Sequence, residues 1–363
     1  MSIVTEAALS AVPAVPPTPT APIVRLTAAE REAVSRLTET ALQEVRDLDV
    51  ATRLNHLSVR AHELPEALRS ALVTFLVTGR PYGGFVISGL PIDEQAAGPT
   101  PLAYTDEPTG PEAEKAAALL VMVGSLLGHP FSYLTQQHGR LVLDVFPVRG
   151  HEESQLGSSS ATVLEWHNED AFHPYRADWI MLLCMRNHDG VATTFAPLQD
   201  LELTPQTREV LFQDRFVIKP DESHTAQFNA RTTGFDDEDR RVSEAFDQVR
   251  AWGADPQRVP ILSGDRRAPF VRIDPAFMER ELDDVEAESA LEEVIEAFDG
   301  SMREVVLAPG EMLIIDNMRA VHGRAPFAAR YDGTDRWLRR VNLTADLRKS
   351  EDRRFGAHGR AVV

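Results

Sequence analysis

The chain has 363 residues, 43% of them hydrophobic, enough for one large core or two modest ones. With 56 acidic and 37 basic residues its net charge is -19, a balance that repels nucleic acid and anionic membranes, although a few local arginines can still hold a small anion. The single cysteine, Cys184, excludes an intrachain disulfide and suits a reducing cytoplasm, and no apolar run reaches the ~18 residues of a transmembrane helix.

Met1 to Pro22 is rich in Ala, Pro and Val and lacks the positive charge that opens a secretory signal. Its prolines deny it a helix, so residues 1–25 read as a loose, disordered tail. Thr27 with Glu30 three residues on is a capping box, and helical spacing continues to about Leu48. A second helix covers Glu66 to Thr78 and ends at Gly79, Gly83 to Leu90 reads as a strand, and 91–111, with five prolines, is a long loop. Glu112 to Leu127 is the next helix.

Strands then dominate: Leu141 to Pro147, Thr162 to His167, Asp178 to Arg186 (with Cys184 as a packing residue) and Val191 to Ala196. The polar stretch Asp221 to Arg241 has no clear period and reads as an active-site lid. A strand at Phe270 to Asp274, a helix from Glu279 to Phe298, and strands at Glu304 to Leu307, Glu311 to Ile315 and Arg336 to Leu343 complete the set. The fold class is mostly β with flanking helices around a double-stranded β-helix (jelly-roll) core. No linker divides it, so 26–363 is expected to be one domain: a helical layer at 26–130, the core at 131–350, and a lid insertion at about 221–250.

Chemistry concentrates at His167-Asn168-Glu169. On a strand, residues i and i+2 share a face, so His167 and Glu169 can grip one ion while Asn168 points away. His322, in a turn after the apolar run Met312 to Ile315, supplies a second imidazole, and Gly323 lets the backbone approach closely. Two imidazoles and a carboxylate form the facial triad of a non-haem Fe(II) oxygenase, with open metal positions. The His-Glu-x-x-His pattern of a zinc protease is absent, and His173, before Pro174, is the rival ligand. Arg336 and Arg340 share a strand face with Leu338; if that face is interior, two guanidinium groups call for two anionic ligands, one of them a dicarboxylate. Arg324 and Arg339 are expected at the surface.

These motifs, taken together, resemble the clavaminate synthase-like branch of Fe(II)/2-oxoglutarate dioxygenases, and within it the bacterial hydroxylases of free amino acids of the arginine, citrulline and enduracididine types. The residues that carry the resemblance are Thr135-Gln136-Gln137, Trp166 to Arg176, Ala192-Thr193-Thr194, Pro309-Gly310-Glu311, Ile315-Asp316-Asn317, Ala320 to Arg324 and Tyr331 to Leu338, within about residues 80–350. The resemblance implies Fe(II) at His167, Glu169 and His322, and O2 as the oxidant. It puts 2-oxoglutarate on Arg336 with Thr194 as a helper. It gives the substrate's α-carboxylate and α-amino group to Arg340 and Gln136, with Gln137 as the adjacent alternative. Arginine hydroxylases of this family tend to set an Asp-x-Asp pair against the guanidinium; here Asp274 is present and Ala276 replaces the second acid. That departure favours a neutral ureido group, as in citrulline, or a cyclised guanidine beside arginine. The implied activity is hydroxylation at C3 or C4 of a free L-amino acid, in antibiotic or other natural-product biosynthesis. Alternatives are desaturation or ring closure by the same chemistry, a peptide hydroxylase, or a metal-binding jelly roll without redox turnover.

Overall fold

The computed structural model describes residues 21–232, 240–280, 283–355 and 359–363. The tail expected through residue 25 thus lies mostly outside the described residues, and its last part is a strand instead. In β1 (Ile23–Arg25) the β-branched Ile23 and Val24 pair in parallel with Val86 and Ile87 of β2 (Gly84–Ser88).

Four helices cover one face of the sheet to which this pair belongs. The capping box at Thr27 and Glu30 opens α1 (Ala28–Glu44). Val45 ends it, and Asp49 caps a separate helix α2 (Val50–Arg60) that the sequence reading missed. In α3 (Glu66–Thr78) the left-handed Gly79 stops the helix, as expected, and α4 (Pro111–Ser125) starts with proline in its first turn. Strands β3 (His129–Tyr133), β4 (Leu143–Val145), β5 (Leu164–His167), β6 (Trp179–Arg186) and β7 (Ala192–Pro197) follow. Next come α5 (Pro205–Leu211), β8 (Phe216–Val217), α6 (Ala226–Thr232), α7 (Arg240–Ala254) and β9 (Arg258–Val259). The hairpin β10 (Leu262–Asp265) and β11 (Ala268–Val271) leads to α8 (Val285–Asp299), which begins later than the expected Glu279 because Asp284 is its N-cap. The chain closes with β12 (Arg303–Val306), β13 (Met312–Asp316), β14 (Ala320–Arg324), β15 (Trp337–Thr344), β16 (Arg354–Phe355) and β17 (Ala361–Val362).

Two main sheets result, beside the two-stranded pairs β10-β11 and β8-β9. The larger sheet runs β1-β2-β13-β6-β15-β3-β17-β16, with β4 also on β15, and the smaller runs β12-β7-β14-β5, antiparallel throughout. Strand alternation separates two faces of the larger sheet. Met181, Leu183, Met312, Ile314 and Val341 pack outward on Leu68, Leu72, Phe75, Leu119 and Met122 of the helices. Ile180, Leu182, Leu313, Ile315 and Leu338 point inward and meet Phe195, Val305 and Ala320 of the smaller sheet. The smaller sheet's other face, with Trp166, Ala196 and Val321, rests on α5 and α8. Each buried Leu, Ile or Phe contributes about 1.5–3 kcal/mol of hydrophobic transfer, so these three apolar clusters dominate what holds the sheets in register.

The expected lid is less irregular than its sequence suggested. Asp221 caps a short turn at Glu222–His224, and α6 follows; residues 233–239 lie outside the described residues. In α7, Val242, Ala245, Phe246 and Val249 recur at helical spacing and are buried, which is why that part is packed helix rather than loop. Among the described residues no helix is long and apolar enough to cross a membrane.

Candidate metal centre and adjoining cavities

His167 stands at the end of β5, and His322 sits directly opposite it on β14, in a strand rather than the expected turn. Their rings lie 4.7 Å apart between centroids. A Cβ on Gly323 would fall 2.5 Å from the Leu164 carbonyl oxygen, so only glycine lets β14 approach β5 this closely. Glu169 follows two residues past His167. Its Oε2 is 3.3 Å from His322 Nε2 and 3.9 Å from His167 Nε2, while Arg340 Nη1 donates to Oε1. The three ligand atoms lie within 4.8 Å of one another.

The surroundings orient these groups. His167 Nδ1 donates to the Glu165 carbonyl at 2.8 Å, which turns Nε2 toward Glu169. Asn168 points away, as expected. Its Nδ2 donates to the carbonyls of Asn317 and Ala320, and its Oδ1 accepts from Ile273 N–H. Asn317 Oδ1 in turn accepts from Glu169 N–H, so two buried amides fix the backbone that carries the carboxylate. Burial opposes a proton on His167, but the hydrogen bond to Glu169 and the charge of Asp274 outweigh it and push the imidazole up to about 9. Burial holds His322 down at about 4. Burial also opposes the charge on Glu169, yet Arg340 and the two imidazoles keep it well below the ordinary carboxylate range. A carboxylate that draws positive charge to itself between two imidazole nitrogens is a donor set suited to a divalent cation, and the residues therefore fit iron. The rival His173 is buried elsewhere, its Nδ1 accepting from Tyr175 N–H.

Two cavities meet at this triad, and both are lined by His167, Glu169 and Arg340. The smaller, about 480 Å³, also contains His322, Thr193, Arg324, Leu338 and Arg336. Arg336 is 5% exposed, donates to Thr193 Oγ1 at 2.8 Å, and is pushed down to about 10 by burial. Thr194, expected there, does not face this cavity; Thr193 does. In the β7–β14 ladder Thr193 lies opposite Arg324 and shares its inner face, whereas Thr194 lies opposite Gly323 and points outward. Arg324, expected at the surface, is instead buried at 2% exposure. It reaches the carbonyls of Ser160, Thr162 and Ala325 and the Ser159 hydroxyl, and burial with the charge of Arg336 pushes it down to about 9. Arg339, also expected outside, is buried on the helix-facing side, bonded to Asp144 and the Ala113 carbonyl.

The larger cavity, about 830 Å³, is acidic: Glu169, Asp170, Asp221 and Asp274 line it, with Arg340, Gln136, Tyr104, Ser158 and Phe228. Gln136 Oε1 faces Arg340 Nη2 at 3.4 Å. Gln137 instead exchanges hydrogen bonds with the Asp144 backbone, which separates the roles of the two glutamines. Asp274 lines the same cavity within electrostatic reach of His167, and burial, opposed by the charge of His167 and aided by those of Asp221 and Glu169, pushes its carboxyl up to about 7. Ala276 leaves no acid beside it, but Asp221, from the lid stretch, brings a second carboxylate to the same cavity. Nothing in the spacing of Asp221 on the chain pointed to this.

Residues 105–342 match the family described as taurine catabolism dioxygenase TauD, TfdA family. The chain belongs to the TauD/TfdA dioxygenases. Among similar members, this TauD/TfdA chain is 42% identical to an enduracididine beta-hydroxylase of Streptomyces hygroscopicus over 83% of itself and 88% of that protein. It is 40% identical to an L-ornithine/L-arginine 3-hydroxylase of Catenulispora acidiphila, over 85% of itself and 95% of that protein. The crystal structure of the non-heme iron oxygenase OrfP with Fe, succinate and (3S)-hydroxy-L-Arg superposes with a TM-score of 0.87 at 39% identity, covering 94% of this chain and all of that one.

Proposed function

We propose that this chain hydroxylates an unactivated side-chain carbon, C3 or C4, of a free L-amino acid with an arginine-like side chain, using Fe(II), 2-oxoglutarate and O2. The observation that carries the reading is the meeting of two oppositely charged cavities at His167, Glu169 and His322. One is lined by Arg324 and Arg336 and suits a dicarboxylate; the other carries Asp221 and Asp274 and suits a cation. The similarity to amino acid hydroxylases supports it. So does the two-sheet arrangement, which we read as a double-stranded β-helix in one domain that includes β1, with the 221–250 stretch as its lid. A single buried thiol, Cys184, suits a reducing cytoplasm, and the enduracididine relative suits a role in natural-product biosynthesis.

His167, Glu169 and His322 would hold the iron. When bound, iron and 2-oxoglutarate activate O2, with 2-oxoglutarate leaving as succinate and CO2 and one oxygen atom passing to the substrate. The side chains set position. Arg336, aided by Thr193, would take the distal carboxylate of 2-oxoglutarate in a fixed fork geometry. Arg340 and Gln136 would hold the α-carboxylate and α-amino group. Asp221 and Asp274 would hold the far end, so the carbon presented to the metal follows from the distance between these anchors. Phe228, from the lid, lines the same cavity and would help exclude water. The second acid restores a place for full positive charge that Ala276 alone had removed.

The test is succinate formation over a panel of arginine, citrulline, ornithine, lysine, asparagine and cyclic guanidino amino acids, with product mass to separate hydroxylation from desaturation. Guanidino amino acids should give the highest turnover and a hydroxylated product. Preference for citrulline over arginine would refute the side-chain assignment, and no amino-acid-dependent succinate would refute the hydroxylase reading.

A further inference from the structure

The side-chain amide of Gln136 can accept a hydrogen bond from an ammonium group only if its oxygen faces the cavity. Its nitrogen is occupied elsewhere: Nε2 donates to Asp170 Oδ1 at 3.2 Å and to Ser223 Oγ at 2.9 Å, while Oε1 turns to Arg340. The reversed amide would set its oxygen against a carboxylate and its NH2 against a guanidinium, so the charges of Asp170 and Arg340 both select the observed orientation. Asp170 directly follows Glu169 and adopts a left-handed backbone at φ 50°, a conformation that surrounding contacts must sustain.

Those contacts come from His224. Its Nε2 lies 2.7 Å from Asp170 Oδ1, and its Nδ1 2.7 Å from Thr135 Oγ1. The imidazole is fully buried between the rings of Tyr133 and Phe172, at 5.2 and 4.9 Å. One connected path of hydrogen bonds thus runs from Thr135 through His224 and Asp170 to Gln136, and it joins the turn after β3, the end of the metal-bearing strand and the lid stretch. Asp170 is 3% exposed and lines the substrate cavity, and its Oδ2 has no partner among the described residues.

We infer that Asp170 and His224 are positioning residues that lock the Gln136 amide with its carbonyl toward the substrate, so that the cavity selects an α-ammonium group. The inference rests on the free amino acid reading above. A histidine that merely filled space would stabilise the site for every ligand alike; one that orients Gln136 matters only to ligands with an amino group.

The measurement is anaerobic calorimetry on the full chain loaded with Fe(II) and 2-oxoglutarate, comparing L-arginine with δ-guanidinovalerate, which lacks only the α-amino group. His224→Phe keeps a ring between Tyr133 and Phe172 but removes both hydrogen bonds. It should weaken arginine binding about tenfold, the effect of one hydrogen bond to a charged group, and change δ-guanidinovalerate by less than about twofold. His224→Gln, whose amide nitrogen can reach Asp170, should restore most of the preference. If His224→Phe does not fold, Asp170→Asn carries the same expectation, because it removes the charge that holds Gln136. Equal losses for both ligands, or an unchanged preference in a folded variant, would overturn the positioning role. A wild-type enzyme that binds the two ligands equally would overturn the Gln136 assignment itself, a separate and recognisable failure.

Discussion

Replacing Asp274 by asparagine keeps its shape and removes its charge, and this tests what the acidic cavity recognises. Asp274 and Asp221 are both buried enough to be poorly screened, their side chains facing a cavity with Arg340 as its cation. A charge-assisted hydrogen bond there is worth about 1.5–3 kcal/mol, or roughly 10- to 150-fold in affinity. The Coulomb energy of two unit charges about 4 Å apart at an effective dielectric of about 20 is ~4 kcal/mol, which bounds the effect from above. Asp274→Asn and Asp221→Asn should therefore each raise the KM for arginine by one to two orders of magnitude. For citrulline, whose ureido group carries no charge, each change should stay within about threefold, and the KM for 2-oxoglutarate should hold. Initial rates of succinate formation with each amino acid varied in turn give all three numbers. If arginine and citrulline suffered equally, the two acids would be shaping the cavity and not reading charge. If the KM for 2-oxoglutarate rose in parallel, Asp274 would belong to the metal centre.

Arg336→Gln should raise the KM for 2-oxoglutarate about 10- to 150-fold and leave the KM for the amino acid within about threefold, by loss of a charged partner to the distal carboxylate; the reverse pattern would exchange the roles of the two cavities. Thr193→Val should weaken 2-oxoglutarate several-fold and Thr194→Val should not, and the opposite result would contradict the strand facing described above. Asp316, buried at the end of β13, has its carboxyl raised by burial from 3.8 to about 6. Its folded form holds the proton more tightly than its unfolded form, so its stabilising contribution is complete below pH 4 and lost as pH rises through about 6. Asp316→Asn should thus be more stable than the wild type at pH 8, by up to ~3 kcal/mol, and similar at pH 4; chemical denaturation at both pH values measures this, and equal differences would contradict the burial argument.

The metal centre was legible in the sequence because its chemistry needs particular residue types at a spacing that a strand makes meaningful. The i, i+2 spacing pointed to one ion for His167 and Glu169, although β5 ends at His167 and Glu169 stands in the turn just beyond it, and a histidine ahead of Gly323 is where a strand can approach closely. Arg336 and Arg340 were legible for the same reason. Other parts depend on contacts between distant segments. Asp221 becomes a second acid beside Asp274 only through the folding of the 221–229 stretch over the cavity. Arg324 is interior because carbonyls of residues 160 and 162 receive it, and no local pattern announces that. Thr194 was displaced by Thr193 because one residue of register reverses a strand's faces. The missed α2 was readable in hindsight: Asp49 accepts from Thr52 N–H, a cap that opens a new helix just past Leu48, where helical spacing was expected to stop.

If one Fe(II) is held by His167, Glu169 and His322, it sits where the two cavities join. Crystals grown anaerobically with Fe(II) and 2-oxoglutarate, measured at the iron absorption edge, test it most directly. One anomalous peak is expected, bonded to both histidine Nε2 atoms and to a Glu169 oxygen, with the distal carboxylate of 2-oxoglutarate on Arg336. A peak at any other group of side chains, or three ligands turned away from a common point, would contradict it.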